Sequence, residues 1–211
     1  MTKIYYHPLS FPSLTVVFAA EAIGIDYERK IIDLPAGEHK SPEYLAINPY
    51  GKIPAMSDGD FHLSETSAIV RYLALRENSP LYGGDLQQQA KIDQWVDFIV
   101  QHIRQNVGRV HFNRVIGPML GATTDPKMID LGLHFLAKNL PIIEAQLEVG
   151  KYVCGDDMTL ADIVLIASLE PRDMSKIDLS AYPALQAYLT AAREEAFYTN
   201  VHTHYGAELE T

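Results

Sequence analysis

The chain has 211 residues, 47% of them hydrophobic, which predicts one or two globular domains with a buried core. No run of residues approaches the roughly 18 consecutive apolar positions of a membrane helix, so no membrane span is predicted. The formal net charge of −10 argues against a nucleic-acid partner, because phosphate binding needs clustered lysine and arginine side chains.

Cysteine and histidine usage predicts a metal-free protein of a reducing compartment. The single cysteine, Cys154, excludes an internal disulfide. The first ten residues lack the charged and apolar regions of a signal peptide, so we expect a cytoplasmic location. His202 and His204 could bind a metal, but the pattern offers no third ligand, and a mobile tail is the better interpretation.

Residues 1–77 alternate predicted strands and helices. Asp58-Gly59 between two apolar runs is a strong hairpin signal, and Gly24 is placed to end the first helix. The resulting βαβαββα order predicts a mixed sheet with helices on its faces. The elements are a strand from Lys3 to His7, a helix from Pro12 to Ile23, a strand from Asp26 to Ile32, a helix from Pro42 to Ile47, strands from Ala55 to Ser57 and from Asp60 to Leu63, and a helix from Thr66 to Arg76.

Beyond residue 77 the pattern becomes helical throughout. Proline and paired glycines at 78–85 predict a linker, which places an all-helical domain at 86–211. Apolar spacing predicts one long helix from Ala90 to Val115 and a second from Pro126 to Val149, with a kink or break at Pro141. A further helix is predicted after a capping pair, Thr159 with Asp162.

The segment from Asn48 to Leu73, NPYGKIPAMSDGDFHLSETSAIVRYL, is the most informative part of the chain. It combines a hairpin with a helix start at which Ser64, Glu65 and Thr66 place side-chain oxygens. A helix start carries free N–H groups and partial positive charge, so it can bind a carboxylate. The segment therefore predicts a peptide-binding site.

This segment resembles the glutathione-binding half of the cytosolic glutathione transferases, with the pattern N-P-x-G-K-[IV]-P-A followed by D-G-D and E-[ST]. The resemblance implies a thioredoxin-like N-terminal domain at 1–77. It implies that Pro54 follows a cis peptide bond and that the backbone of Ile53 pairs with the glutathione cysteine like an added strand.

Other glutathione contacts are carried over by position. Glu65 and Thr66 would hold the γ-glutamyl end, with simple helix capping as the alternative interpretation. His39, within G-E-H-K-S, and Lys52 would face the glycine carboxylate. A solvated loop position is the alternative for His39.

Ser10 is the candidate for stabilising the glutathione sulfur. The segment L-S-F-P-S resembles the L-S-x-P-[CS]-R segment of theta-class enzymes, whose serine hydroxyl donates a hydrogen bond to that sulfur. Ser13, Tyr5 and Tyr6 stay open as alternative contacts to the sulfur. A purely structural role of Ser10, in a turn or as a helix cap, is the other interpretation. The sequence departs from the family pattern at Leu14, where the family has arginine.

The sequence says least about the pocket for the electrophilic acceptor. The resemblance places it between the Ser10 loop and the middle of the long helix. The candidates are Leu9, Phe11, Arg104, His111 and Phe112. For Arg104 the favoured interpretation is a solvated helix face.

The resemblance as a whole implies a homodimeric, serine-type, theta-like transferase that joins glutathione thiolate to small hydrophobic electrophiles without a metal. The same site could serve a glutathione-dependent peroxidase, dehalogenase or isomerase. A non-catalytic interaction module of transferase-like fold is the alternative from another class. Tyr50 occupies the place where some classes insert an aromatic side chain into the partner subunit, although an exposed loop tyrosine needs no such role.

Overall fold

The computed structural model describes residues 1–209, with the side chains of residues 1–205, and divides into two compact units. The first contains Met1–Tyr82 together with the described chain from Glu194 onward, and the second is Gly83–Arg193. None of the helices in this described part combines the length and the apolarity needed to cross a membrane. The domain limits of 1–77 and 86–211 stay a prediction.

The first unit is built on a four-stranded mixed sheet, in the order β2-β1-β3-β4. β1 pairs in parallel with β2 and antiparallel with β3, which in turn pairs antiparallel with β4. The predicted thioredoxin-like order is therefore confirmed. Its elements are β1 (Thr2–Tyr6), α1 (Phe11–Ile23), β2 (Tyr27–Ile31), α2 (Pro42–Ile47), β3 (Ala55–Asp58), β4 (Phe61–Ser64) and α3 (Thr66–Arg76).

Side chains alternate between the two faces of the sheet along β1 and β3, and each face has its own layer of core. Ile4 pairs with Met56 across β1 and β3, and both are fully buried. The next pair, Tyr5 with Ala55, points to the opposite face, because successive side chains of a strand alternate. There Ala55 packs in a small apolar cluster with Tyr44 of α2. This second layer fixes α2 against the start of β3.

The hairpin between β3 and β4 lies one residue later than predicted. Asp58 pairs with Phe61, so the two-residue loop is Gly59-Asp60 instead of Asp58-Gly59. Gly59 has φ +59°, which suits the first loop position of a type II′ turn. Asp58 stays in the strand because its carboxylate accepts hydrogen bonds from Tyr72 and Arg76, at 2.7 Å each.

The C-terminal helix α10 (Ala196–Leu209) packs on α1 in the same unit. The Phe18 ring contacts the Phe197 ring edge-on, with 5.2 Å between centroids. The predicted mobile tail is wrong for His202 and His204, which both lie in this helix. His202 stacks on Tyr198 at 4.0 Å, so aromatic packing orders this part of the chain.

The second unit is helical throughout. A continuous helical stretch from Leu86 to Met119 contains two π-helical turns, and it starts four residues before the predicted Ala90. The earlier start follows from Asp85, whose carboxylate caps the N–H groups of Gln87 and Gln88 at 2.9 Å. The elements are α4 (Leu86–Phe98), α5 (Gln105–His111), α6 (Gly117–Met119), α7 (Pro126–Val149), which continues through Pro141, α8 (Leu160–Leu169) and α9 (Pro183–Ala192).

Asp162 joins three segments of the second unit. Its carboxylate accepts hydrogen bonds from the Val153 N–H (2.9 Å), from the N–H and hydroxyl of Thr159 (2.8 and 2.9 Å), and from the Tyr188 hydroxyl (2.9 Å). The predicted capping box at Thr159 is therefore confirmed. Burial raises the pKa of the Asp162 carboxyl, and these donors oppose that shift.

We predict that Asp162→Ala lowers the free energy of unfolding by about 3 kcal/mol or more, because it leaves several buried donors without an acceptor. The measurement is denaturant unfolding followed by circular dichroism and by the fluorescence of the single tryptophan, Trp95. Asp178→Ala is the matched control: this exposed carboxylate also accepts two hydrogen bonds, both from Ser180, and its loss should lower the free energy of unfolding far less, because water can replace it. Equal costs for the two variants would contradict the prediction.

Candidate functional site

Ser10 caps the first helix and keeps its hydroxyl proton free. Its Oγ accepts a hydrogen bond from the Ser13 N–H at 3.3 Å, and within residues 1–209 no group accepts the Ser10 hydroxyl proton. Ser13 itself is fully buried, and its Oγ has no hydrogen-bond partner in the described chain. Because Ser10 is only partly buried, it can present a donor to an anion at the start of α1, whereas Ser13 cannot.

The two tyrosines of β1, Tyr5 and Tyr6, are both engaged in packing within the first unit. Tyr6 is fully buried and stacks on Tyr205, with 5.8 Å between ring centroids. The Tyr5 hydroxyl accepts a weak hydrogen bond from Ser57 at 3.4 Å, and its ring meets Tyr44 edge-on. Leu14, which stands where the family pattern has arginine, is 4% exposed and packs in the core.

The Ile53-Pro54 peptide bond is cis, as the resemblance implies. The Lys52 carbonyl just before it accepts two short hydrogen bonds, from the Tyr44 hydroxyl and the Asn48 side-chain amide, at 2.6 Å each. Burial raises the pKa of Tyr44 to about 12, so this hydroxyl stays protonated and donates. Within the described residues, the N–H and C=O of Ile53 have no partner. An extended peptide can therefore pair with them.

Gly51 brings the His39 loop next to Lys52. Its φ is +57°, and a Cβ at this position would lie 2.9 Å from the His39 carbonyl oxygen. Lys40 Nζ donates to the Gly51 carbonyl at 3.3 Å. The His39 Nδ1 is buried without a partner in the described chain, and Lys52 is exposed. This edge of the site thus holds an imidazole and an ammonium group, a pairing suited to a carboxylate.

The start of α3 is open. Glu65 precedes it with φ 69° and ψ 114°, a strained backbone for a residue with a side chain, and it makes no capping hydrogen bond. The first intrahelical bond there runs from the Ile69 N–H to the Glu65 carbonyl, at 3.0 Å. Thr66 is 8% exposed at the first helical position. Simple side-chain capping by Glu65 is therefore wrong, and the strain at Glu65 is a site feature that the sequence did not reveal.

Of the acceptor-pocket candidates, Leu9 and Phe11 lie in the first unit. Leu9 is 49% exposed and Phe11 is partly buried. Phe112, in the second unit, is 50% exposed. These three side chains have apolar surface available for a ligand, and their role stays a prediction.

Arg104 and His111 are buried in the second unit. The solvated interpretation of Arg104 is wrong: the residue is 8% exposed, and its Nε donates to the Ser168 hydroxyl at 3.0 Å. Its π-helical turn packs against α8, and burial lowers the pKa of the guanidinium to about 10. His111 Nδ1 lies 2.8 Å from the Ser175 hydroxyl. A contact of either residue with the acceptor stays a prediction.

The lone cysteine has the character of a packed thiol. Cys154 is half-buried, and burial raises its pKa, so the reactive thiolate is disfavoured. Among the described side chains, no group of three or more His, Cys, Asp or Glu is arranged to hold a metal ion.

Comparison with known proteins identifies the relatives of this chain. The family model for the glutathione S-transferase N-terminal domain matches residues 1–75, and the model for the C-terminal domain matches residues 112–195. Glutathione S-transferase 1 of Zea mays is 37% identical over 198 residues, which are 91% of each chain. Glutathione S-transferase 3 of Zea mays is 38% identical over 207 residues, 94% of this chain and 92% of the relative.

A solved structure shows the same architecture. Glutathione S-transferase I from maize, in complex with an atrazine glutathione conjugate, superposes with a TM-score of 0.87 at 34% identity and covers 95% of both chains. The two domain models and the near full-length relatives agree with the mixed sheet and the helical second unit described above. The chain belongs to the glutathione S-transferase family.

Proposed function

We propose that this protein conjugates the thiolate of glutathione to small hydrophobic electrophiles, with Ser10 stabilising the sulfur anion. The observation that carries the proposal is the Ser10 hydroxyl, which accepts from the Ser13 N–H and still has its own proton to donate. The maize relative that holds an atrazine glutathione conjugate supports an electrophile of this kind.

The chemical task is to make the thiol anionic at neutral pH. A free thiol has a pKa of about 8.5, so only about 3% is thiolate at pH 7. A hydroxyl donor and a helix start both favour the anion, and lowering that pKa by about two units would make roughly three quarters of it thiolate. Ser10 lies at the start of α1 and so offers both effects. This is the serine-type assignment.

Binding is assigned to groups other than Ser10. We assign the glutathione cysteine backbone to the free N–H and C=O of Ile53, next to Pro54. The γ-glutamyl end is assigned to Glu65 and Thr66 at the open start of α3. Support comes from the strained φ of Glu65, since strain of this kind persists where the surroundings or a function require it.

The glycine end of glutathione is assigned to His39 and Lys52. Support comes from the close approach at Gly51, which holds their two segments together. For the electrophile, the proposed side chains are those predicted from the sequence: Leu9, Phe11, Arg104, His111 and Phe112. We further propose a theta-like site arrangement, a cytoplasmic location and a homodimer.

We predict that Ser10→Ala lowers turnover with glutathione about 100-fold, because an oriented donor to the developing anion is lost. Affinity for glutathione should stay near normal, since Ile53 and Thr66 are unchanged. The measurement is steady-state kinetics over a panel of aromatic halides, haloalkanes and hydroperoxides, which also separates conjugation from dehalogenation and peroxide reduction.

Ser13→Ala is the matched control for Ser10→Ala. The Ser13 hydroxyl is buried without a partner, so its removal should leave turnover unchanged and stability equal or higher. Loss of activity in Ser13→Ala, with normal turnover in Ser10→Ala, would move the sulfur contact to Ser13. A wild-type protein that binds no glutathione would instead favour an interaction module.

We predict that Thr66→Val raises KM for glutathione about tenfold and leaves kcat at saturation nearly unchanged, because a hydrogen bond to a carboxylate is lost from binding alone. Valine keeps the shape of threonine, which limits packing changes at this buried position. Thr66→Ser keeps the hydroxyl and should retain the wild-type KM. A fall in kcat with constant KM in Thr66→Val would contradict this assignment.

The homodimer is tested at Tyr50, whose side chain is 64% exposed while its N–H donates to the Asn48 side chain at 3.1 Å. We predict that Tyr50→Ala weakens the dimer, seen as a concentration-dependent shift to monomer in size-exclusion chromatography with light scattering. Met174→Ala, which removes a side chain with 62% exposure from the second unit, is the control. A wild type that stays monomeric at all concentrations would refute the proposal.

A further inference from the structure

The turn that carries Ser10 is closed by an imidazole. Residues His7 to Ser10 form a β-turn in which the Ser10 N–H donates to the His7 carbonyl at 3.0 Å. A second bond joins the same ends: the Leu9 N–H donates to Nδ1 of the His7 ring at 3.2 Å. The ring therefore holds the Pro8–Leu9 peptide group, one residue before the peptide group that carries the Ser10 N–H.

The local sequence favours this geometry. Pro8 takes the second turn position, where its fixed φ suits a type I or type II turn. A type II turn needs a positive φ at Leu9, and Leu9 is not among the described non-glycine residues with positive φ, which are Glu65, Asn78 and Lys176. The turn is thus not type II. At the first position of type I turns Asp, Asn or Ser commonly accepts the N–H two residues on, and here His7 does so.

We propose that His7 is a positioning residue whose neutral imidazole holds the Ser10 turn. Protonation of the ring in acid breaks its hydrogen bond to the Leu9 N–H, so the turn opens and the Ser10 hydroxyl is misplaced. This inference rests on the proposed role of Ser10 at the glutathione sulfur. His7 touches neither glutathione nor the electrophile in this scheme. It acts through the Leu9 peptide group.

The sign of the pH effect follows from the hydrogen bond. Nδ1 can accept from Leu9 only when it carries no proton, so the bonded ring is the neutral tautomer with its hydrogen on Nε2. Partial burial lowers the pKa of His7, and the Asp33 carboxylate opposes that shift. The turn is therefore closed above the ordinary imidazole pKa of about 6.5 and opens as the pH falls below it.

Few charges surround the ring. Asp33, just after β2, is the charged group that acts on it, and the first turn of α1 contains no acidic residue. The Asp33 carboxylate also accepts from the Ala36 N–H at 2.9 Å, and an asparagine could keep that bond. Asp33→Asn thus removes the charge while keeping the loop, and it should move the His7 transition to lower pH.

Three variants test the proposal: His7→Ala, which removes the acceptor, His7→Asn, which keeps an acceptor that does not titrate, and Asp33→Asn. The first readout is the pKa of bound glutathione, measured by ultraviolet absorbance of its thiolate. We expect His7→Ala to raise this pKa and to lower kcat about fivefold to tenfold, the effect of one ordinary hydrogen bond. KM for glutathione should stay within about twofold, and His7→Asn should restore the wild-type values at neutral pH.

The second readout is the Leu9 amide, followed by nuclear magnetic resonance across pH 4 to 8. In the wild type its chemical shift and exchange protection should change with the titration of the His7 ring, and in Asp33→Asn the change should occur at lower pH. In His7→Asn the Leu9 amide should be constant. A Leu9 amide that ignores the His7 titration, or a His7→Asn protein as impaired as His7→Ala, overturns the proposal.

The two levels of inference fail separately. If Ser10→Ala leaves the pKa of the bound thiol unchanged, the sulfur contact is wrong, whereas the Leu9 amide still reports whether His7 holds the turn. If His7→Ala does not fold, the pH dependence of the Leu9 amide in His7→Asn and Asp33→Asn still tests whether the His7 ring holds the turn. Normal kcat and a normal thiol pKa in folded His7→Ala overturn the link to Ser10.

Discussion

The carbonyl of Lys52 is the point on which the binding edge of the first unit depends. Tyr44 and Asn48, one on α2 and one at its end, both donate to it at 2.6 Å. Their bonds fix the chain where it enters β3, so that Ile53 arrives with free peptide groups. The same contacts hold α2 over Ala55, because the Tyr44 ring packs in that cluster. Because burial raises the pKa of the Tyr44 phenol, its hydroxyl stays protonated and keeps donating to the Lys52 carbonyl throughout the physiological pH range.

The site thus combines parts of different rigidity. The Ile53 edge is held by short hydrogen bonds from a packed helix, and the start of α3 by the sheet that precedes it. Ser10, by contrast, sits on a surface turn closed by one backbone bond and one imidazole bond. Affinity for a tripeptide requires fixed peptide groups, whereas a donor to sulfur acts only on the charge of one atom. The Ser10 turn is therefore the part that the local environment can most easily modulate.

Local signals in the sequence were sufficient for most of the fold. Gly24 adopts the left-handed conformation that ends α1, and α2 and α3 begin and end at their predicted residues. Two of the errors lie where a distant partner decides. Asp58 stays in its strand because α3 supplies Tyr72 and Arg76, and Arg104 is buried because α8 supplies Ser168. No local periodicity carries that information.

In the site, too, local signals predicted some features, whereas contacts with distant residues decided others. The resemblance implied the cis bond before Pro54 and the sequence predicted the helix start at Thr66, and both are confirmed. The strain at Glu65 and the hydrogen bond from Tyr44 depend on packing that a motif does not encode. The Leu14 departure has a simple physical account, since its position is buried and an apolar side chain needs no partner there.

The start of α3 differs from other helix starts of this fold because it has no side-chain cap. The starts of α1, α2, α4 and α7 are each closed by a side chain of the preceding residue, Ser10, Ser41, Asp85 and Asp125. At α3 the preceding residue is Glu65, which does not cap and holds a strained φ besides. A missing cap and a strained residue each cost about 1 kcal/mol or more. A fold that closes these four helix starts and accepts both costs at α3 keeps N–H groups available there, and a carboxylate is the group that this charge distribution favours.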